Sequence, residues 1–228
     1  MDLFPLFNSI RISLFSTIIV LIIGVFSAYY ISKANVIVKG ILDVFFTLPL
    51  VLPPTVVGFL LIKLLGPKHF IGEFFYETFG LRLTMNWWSA VFATIVIVFP
   101  LMYRTARGAF QSFDKTLSDT AKTLGLSNTY IFWKIIMPYC KQGIAAGAVL
   151  SFARALGEYG ATSMLSGYIP KKTATISTTV YQLWQIGNDE LAYKWIATNI
   201  LISAIVLLII NLLESNYQRK ENRHVSLR

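Results

Sequence analysis

The sequence predicts an all-α polytopic membrane protein, a bundle of about five transmembrane helices. Three observations predict it. Of its 228 residues, 55% are hydrophobic and only 14% are charged, less charge than a soluble domain carries. The apolar residues gather in runs long enough to cross a hydrocarbon core of about 30 Å, which takes roughly 20 residues. Those runs are continuous rather than alternating, which favours helices over a closed barrel.

The first run extends from about Ser9 to Ile31. Its leader, "MDLFPLFNSIRIS", has an acid near the start and no basic stretch, so a retained span is expected rather than a cleaved signal. The second runs from about Ile41 to Leu65 and contains Pro49, Pro53 and Pro54. Each proline lacks a backbone donor and clashes with a helical carbonyl. In lipid the freed carbonyls need partners in protein or water. Pro49, Pro53, Pro54 and the adjoining Thr55 therefore mark either a packing kink or part of a translocation path and gate. The third run, about Trp87 to Ala109, opens on the interfacial pair Trp87 and Trp88 and is kinked at Pro100.

The fourth run, about Tyr139 to Leu165, carries Gly143 and Gly147 at a spacing that favours close helix packing. It also holds Arg154 and Glu158, four apart on one helix face. Charges inside a span face protein or water. Two readings stand: an intrahelical ion pair, or Arg154 drawing a dianion into a wet cavity while Glu158 limits how tightly it is held. Gly157 and Gly160 predict a thin or broken helix here. The stretch from Ile176 to Ile186 is too short to span and reads as an interfacial or re-entrant helix. The fifth run extends from about Trp195 to Leu213.

Five spans put the termini on opposite sides, and the charges choose which. Lys33, Lys39, Arg104, Arg107, Lys115, Lys122, Lys134, Lys141, Arg219, Lys220, Arg223 and Arg228 form the larger set, close to span ends. Arg11, Lys63, Lys68, Arg82, Lys171, Lys172 and Lys194 form the smaller. The positive-inside rule makes the first set cytoplasmic, with the N-terminus outside and the C-terminus inside. The net charge of +9 is read the same way, as a membrane orientation signal and not as a nucleic-acid footprint. Lys171 and Lys172 then fall on the outer face, as solvated loop charges or as a lure for anions.

Between the third and fourth runs lies a polar segment, residues 104–134. "FDKTLSDTAKTLG" sets Phe113, Leu117, Ala121 and Leu124 at helical spacing on one face. Gly125 can take the positive φ that ends such a helix, and Ser127 or Asn128 can cap the next. The result is a helix–turn–helix that either rests on lipid headgroups or lays its apolar face into a soluble partner. The single cysteine, Cys140, excludes an internal disulfide and reads as a small apolar residue. His69 and His224 stand alone, so no metal site is expected. The chain has no phosphate-binding loop of the G-x-x-x-x-G-K-[ST] type and no nucleophile–base set.

The segment "DTAKTLGLSNTYIFWKIIMP" resembles the EAA loop of bacterial ABC-transporter permeases: E-A-A, three residues, Gly, nine residues, then I-x-L-P. Asp119, Thr120, Ala121, Gly125, Ile135, Met137 and Pro138 keep the spacing, with Asp for Glu, Thr for Ala and Met for Leu. "LPLVLPPTVVGF", "FPLMYR", "SFARALGEYGAT" and "GYIPKKT" widen the likeness to the permease subunit of molybdate importers, and parts are shared with sulfate and tungstate permeases. The resemblance implies one permease domain over residues 1–228 that works as a homodimer. It implies a pair of ATPase subunits and an extracytoplasmic oxyanion-binding protein as partners. Asp119, Thr120, Ala121, Leu124, Gly125, Ile135 and Pro138 would couple the chain to the ATPase. ATP and Mg would be used by that partner, with no cofactor bound by this chain. A sulfate or thiosulfate permease is the near alternative, and a passive anion channel with an amphipathic lid the distant one.

Overall fold

Pro5 sits in the first turn of α1 (Phe4–Ser32), where a missing N–H costs no helical bond. The computed structural model describes residues 2–225, and among these residues every regular element is helical. At 29 residues, α1 is roughly 44 Å long, more than a bilayer core requires.

α2 (Val36–Val51) starts where the Asn35 side chain accepts the Val38 N–H at 2.9 Å. The second span, expected from Ile41 to Leu65 with prolines interrupting it, is two helices here. α2 stops at Val51, and α3 (Pro54–Leu65) leaves it at a bend of 112°. A residue before proline is pushed out of the α region. Leu52 and Pro53 both precede prolines, and their ψ values are 142° and 135°. Two consecutive extended residues end one helix, and Pro54 starts the next. α4 (Phe70–Phe79) follows, closed by Gly80 at φ 65°. A reading by span length passes over α4 because its ten residues are too few to cross.

α5 (Trp87–Gln111) opens on a capping box between Asn86 and Ser89 and runs through the middle of the bundle. It is parallel to α1. At one end the Trp87 indole donates to Asn8 at 2.9 Å; at the other, Phe110 packs edge-on against Tyr29. α6 (Lys115–Thr123) and α7 (Asn128–Ile131) form the hairpin. A five-residue π-helical segment, Phe132–Ile136, joins α7 to α8 (Met137–Leu156).

The fourth span is therefore corrected at both ends: the helical column runs from Asn128 to Leu156, not from Tyr139 to Leu165. Pro138 does not break its start, because it lies in the first turn of α8, where its missing N–H is tolerated. At the far end Gly157 ends α8, and α9 (Gly160–Ser166) is a separate short helix. α8 runs antiparallel to α5 and in close contact. A Cβ on Gly143 would lie 2.7 Å from Ala109 Cβ, and one on Gly147 would lie 3.0 Å from Thr105 Cβ.

α10 (Ile176–Gln185) occupies the stretch expected to be a short helix, opening on a Thr175–Thr178 capping box. It is tied to α1, since Ile176 N–H donates to Ser9 Oγ at 2.9 Å. Its Ile176 and Leu183 bury against Trp195 of α11 (Asp189–Val225). The apolar part of α11, Asp189–Leu208, is long enough to cross a membrane. Among the described residues four helices pass that test, and the bent α2–α3 pair makes a fifth crossing if it is one span. Arg219, Lys220, Arg223, His224 and Arg228 lie outside the residues whose side chains are described.

Candidate functional site

The hairpin is built by local signals. Asp114 caps α6 by accepting the Thr116 N–H at 2.9 Å. That backbone bond, with the Thr116 hydroxyl, holds the Asp114 carboxyl below the usual carboxylate range. At the other end Gly125, at φ 79°, permits a Schellman turn: Gly125 N–H reaches Lys122 O at 2.9 Å and Leu126 N–H reaches Ala121 O at 3.2 Å. Ser127, not Asn128, caps α7, accepting the Tyr130 N–H at 3.2 Å.

The predicted apolar face divides in two. Phe113 and Ala121 are buried in the main core, while Leu117 and Leu124 are exposed, Leu124 by 75%. Leu126, Tyr130 and Trp133 extend this exposed apolar surface along the hairpin. Asp119 is exposed and pairs with Lys122 at 2.9 Å. Thr120, Gly125 and Pro138 are exposed too, and Ile135 is half-buried against the core. Phe132 anchors the hairpin to the bundle by packing on Tyr29 and Phe26 of α1. Between the hairpin and the ends of α1 and α2 lies an open cleft of about 590 Å³, with Lys33, Lys39, Lys115 and Lys122 among its lining residues.

The second group of sequence-predicted residues meets where α8 breaks. Glu158 is buried and does two things there. Its Oε1 accepts the Ala161 N–H at 2.8 Å, serving the start of α9, and its Oε2 lies 2.7 Å from Arg154 Nη1. The Arg154 contact is an ion pair without hydrogen-bond alignment. Of the two readings of these charges, the ion pair is the one the structure contains. A Cβ on Gly160 would fall 2.8 Å from Pro54 Cβ and 3.0 Å from Thr55 N. A Cβ on Gly58 would fall 2.9 Å from Ala161 Cα. The breaks in α2–α3 and in α8–α9 are thus packed directly on each other, with Pro53 and Thr55 exposed beside the crossing. Pro49 lies one turn earlier, inside α2.

Sequence reading missed a third cluster. Asp43 of α2 pairs with Arg107 of α5 and accepts a hydrogen bond from the Tyr103 hydroxyl. The signal was present: Asp43 is a lone acid in the apolar run "ILDVFF", and such a residue needs a partner.

Residues 20–222 match the model of the binding-protein-dependent transport system inner membrane component family. The chain belongs to this family. It is 38% identical over 215 residues, 94% of its length and 92% of the relative's, to the molybdenum transport system permease protein ModB of Escherichia coli (strain K12). A relative from Chlorokybus atmophyticus named for sulfate transport is 32% identical over 204 residues, 89% of this chain and 71% of that one. Its fold is similar to a solved bacterial ABC transporter involved in the import of the acidic polysaccharide alginate. The TM-score is 0.76 over 94% of this chain and 79% of that one, at 16% identity. As a component of this family the chain is a multi-pass inner-membrane transport subunit. The hairpin, the proline break and the Arg154–Glu158 pair were legible from spacing and from proline and charge placement. The Asp43 cluster and the close seating of Gly160 on Pro54 were not.

Proposed function

We propose that this chain is the permease subunit of an ABC importer for molybdate, with tungstate as a second oxyanion, working as a homodimer. An extracytoplasmic binding protein delivers the oxyanion, and a pair of separate ATPase subunits uses ATP and Mg. The observation that carries the reading is the hairpin. It is anchored through Phe132 yet presents Leu117, Leu124 and Leu126 unpaired on an otherwise polar surface. An apolar ridge on a polar helix suits a groove in a soluble partner. Anchoring on α1 and α8 would carry a partner's movement into the spans as a rigid-body step. The relative named for molybdenum transport supports the substrate, matching over more of its length than the relative named for sulfate.

In this reading the hairpin faces the cytoplasm, with the N-terminus outside and the C-terminus inside. Lys33, Lys39, Arg104, Arg107, Lys115, Lys122 and Lys134 gather at the hairpin end of the bundle, which by the positive-inside rule supports this orientation. Pro49, Pro53, Pro54, Thr55, Arg154 and Glu158 line or gate the path. Asp119, Thr120, Ala121, Leu124, Gly125, Ile135 and Pro138 form the coupling element.

The test is reconstitution with the ATPase and binding protein in proteoliposomes. Deleting Asp119–Gly125 should abolish labelled molybdate uptake and uncouple ATP hydrolysis from it. Undiminished uptake by the deletion overturns the coupling role, uptake of sulfate but not molybdate moves the substrate, and uptake without nucleotide indicates a channel.

A further inference from the structure

A cleft of about 270 Å³ lies beside the α8–α9 break, between α9 and α10. Tyr159, Ser163, Tyr168, Tyr181, Gln182 and Gln185 line it, together with Thr178. It continues past Tyr159 and Tyr181 into a more apolar recess of about 240 Å³ edged by Val180 and Trp184. No charged side chain lines either space, so whatever enters meets hydroxyls and amides.

Several of those groups are committed to the fold. Ser163 donates to Gly160 O, and Thr178 serves the α10 capping box. The Tyr181 hydroxyl accepts the Gln185 amide at 3.2 Å and also interacts with the Tyr159 hydroxyl, a contact that a ligand oxygen can replace. Tyr168 and Gln182 have no side-chain hydrogen-bond partner among the described residues. The cleft therefore offers two uncommitted donors, the Tyr168 phenol and the Gln182 amide, and a third, Tyr181, that exchanges between Tyr159 and a ligand.

The surrounding charge favours an anion. Glu158 is next to Tyr159 in sequence, but its carboxylate is buried and occupied by Arg154 and Ala161. Lys171 and Lys172 are exposed on the turn after Tyr168 and bias the local field positive. The polar part of the space, about 270 Å³, has room for a small polyatomic ion with some of its water.

We propose that this cleft is a transit site for the tetrahedral oxyanion, held by Tyr181, Gln182 and Tyr168 through neutral hydrogen bonds alone. This rests on the importer reading above. Neutral donors hold a dianion less firmly than a lysine or arginine does, and a conducting site must release what it admits.

The experiment is uptake of labelled molybdate, tungstate and sulfate by the complete reconstituted complex carrying Tyr181→Phe, Gln182→Leu or Gln182→Glu. The first two each delete one donor and should lower uptake at low oxyanion on the order of tenfold. Gln182→Glu keeps the shape and adds a negative charge. It should lose more than Gln182→Leu, and raised salt should recover part of that loss. Wild-type rates in all three variants, or equal and salt-independent losses in both Gln182 variants, overturn the site and leave the importer reading standing. If the unmodified complex moves none of the three oxyanions, the importer reading falls first and the site with it.

Discussion

Asp43 shows how one side chain can hold a helix. α2 has no buried residue of its own, so hydrophobic burial within this chain fixes it weakly. Its carboxylate pairs with the Arg107 guanidinium and accepts the Tyr103 hydroxyl, joining α2 to α5 at a partly buried point. Breaking such a pair from one side leaves an uncompensated charge, whereas replacing both partners with apolar groups need not destabilise. Asp43→Ala should therefore lower stability by about 2 kcal/mol, read as a fall in melting temperature in detergent. Asp43→Leu combined with Arg107→Met should recover much of that. A double variant less stable than Asp43→Ala would show that the pair itself stabilises and the orphaned arginine does not explain the loss. Glu158 follows the same logic inside α8–α9, where one carboxylate serves both an arginine and a helix start.

At the scale of elements, α6 owes its boundaries to two residues, Asp114 and Gly125, at its opposite ends. Asp114 gives it a pH dependence of definite sign. Its folded carboxyl is held below the ordinary range by the Thr116 N–H and hydroxyl. The capping contribution is therefore fully present above the ordinary carboxylate value. It is lost as pH falls through the lowered folded value. Hydrogen exchange at the Thr116 and Leu117 amides, corrected for intrinsic rates, should show α6 loosening on acidification. Asp114→Asn keeps an acceptor but removes the titration, so its α6 should hold to lower pH. Equal acid sensitivity in both proteins would place the titrating group elsewhere.

The extent of each helix was legible where its signal is local. Pro53 and Pro54 announced a break, although a proline pair can equally kink a helix, and only the structure fixes the 112° turn. The end of α8 was overrun because Ala161, Met164 and Leu165 prolong the apolar run past the break that Gly157 and Gly160 signal. Hydropathy does not register that Glu158 serves at once as ion-pair partner and as acceptor at the start of α9.

For the whole molecule, the spans were readable because lipid demands long apolar helices, and hairpin spacing was readable because it lies within one short segment. What was not readable depends on chain segments far apart in sequence: Asp43 on Arg107, Gly160 on Pro54, Ser9 on Ile176. α2 is apolar, carries the proline break, and exposes Ile41, Val44, Phe45, Val51 and Val56 nearby on α3. It packs on α5 through Asp43 and Phe46, which leaves its other side uncovered by this chain. In the homodimer proposed above, a second copy covers that side, because a path between two permeases must be walled by elements that a single copy leaves open. In a Cys140→Ser background, single cysteines at Val44 or Val51 should cross-link two copies in native membranes. A cysteine at Ile23 on the exposed side of α1 should not. Cross-links at Ile23 with none at Val44 or Val51 would move the interface to α1, and the absence of any cross-linked pair would argue for a path formed by one chain.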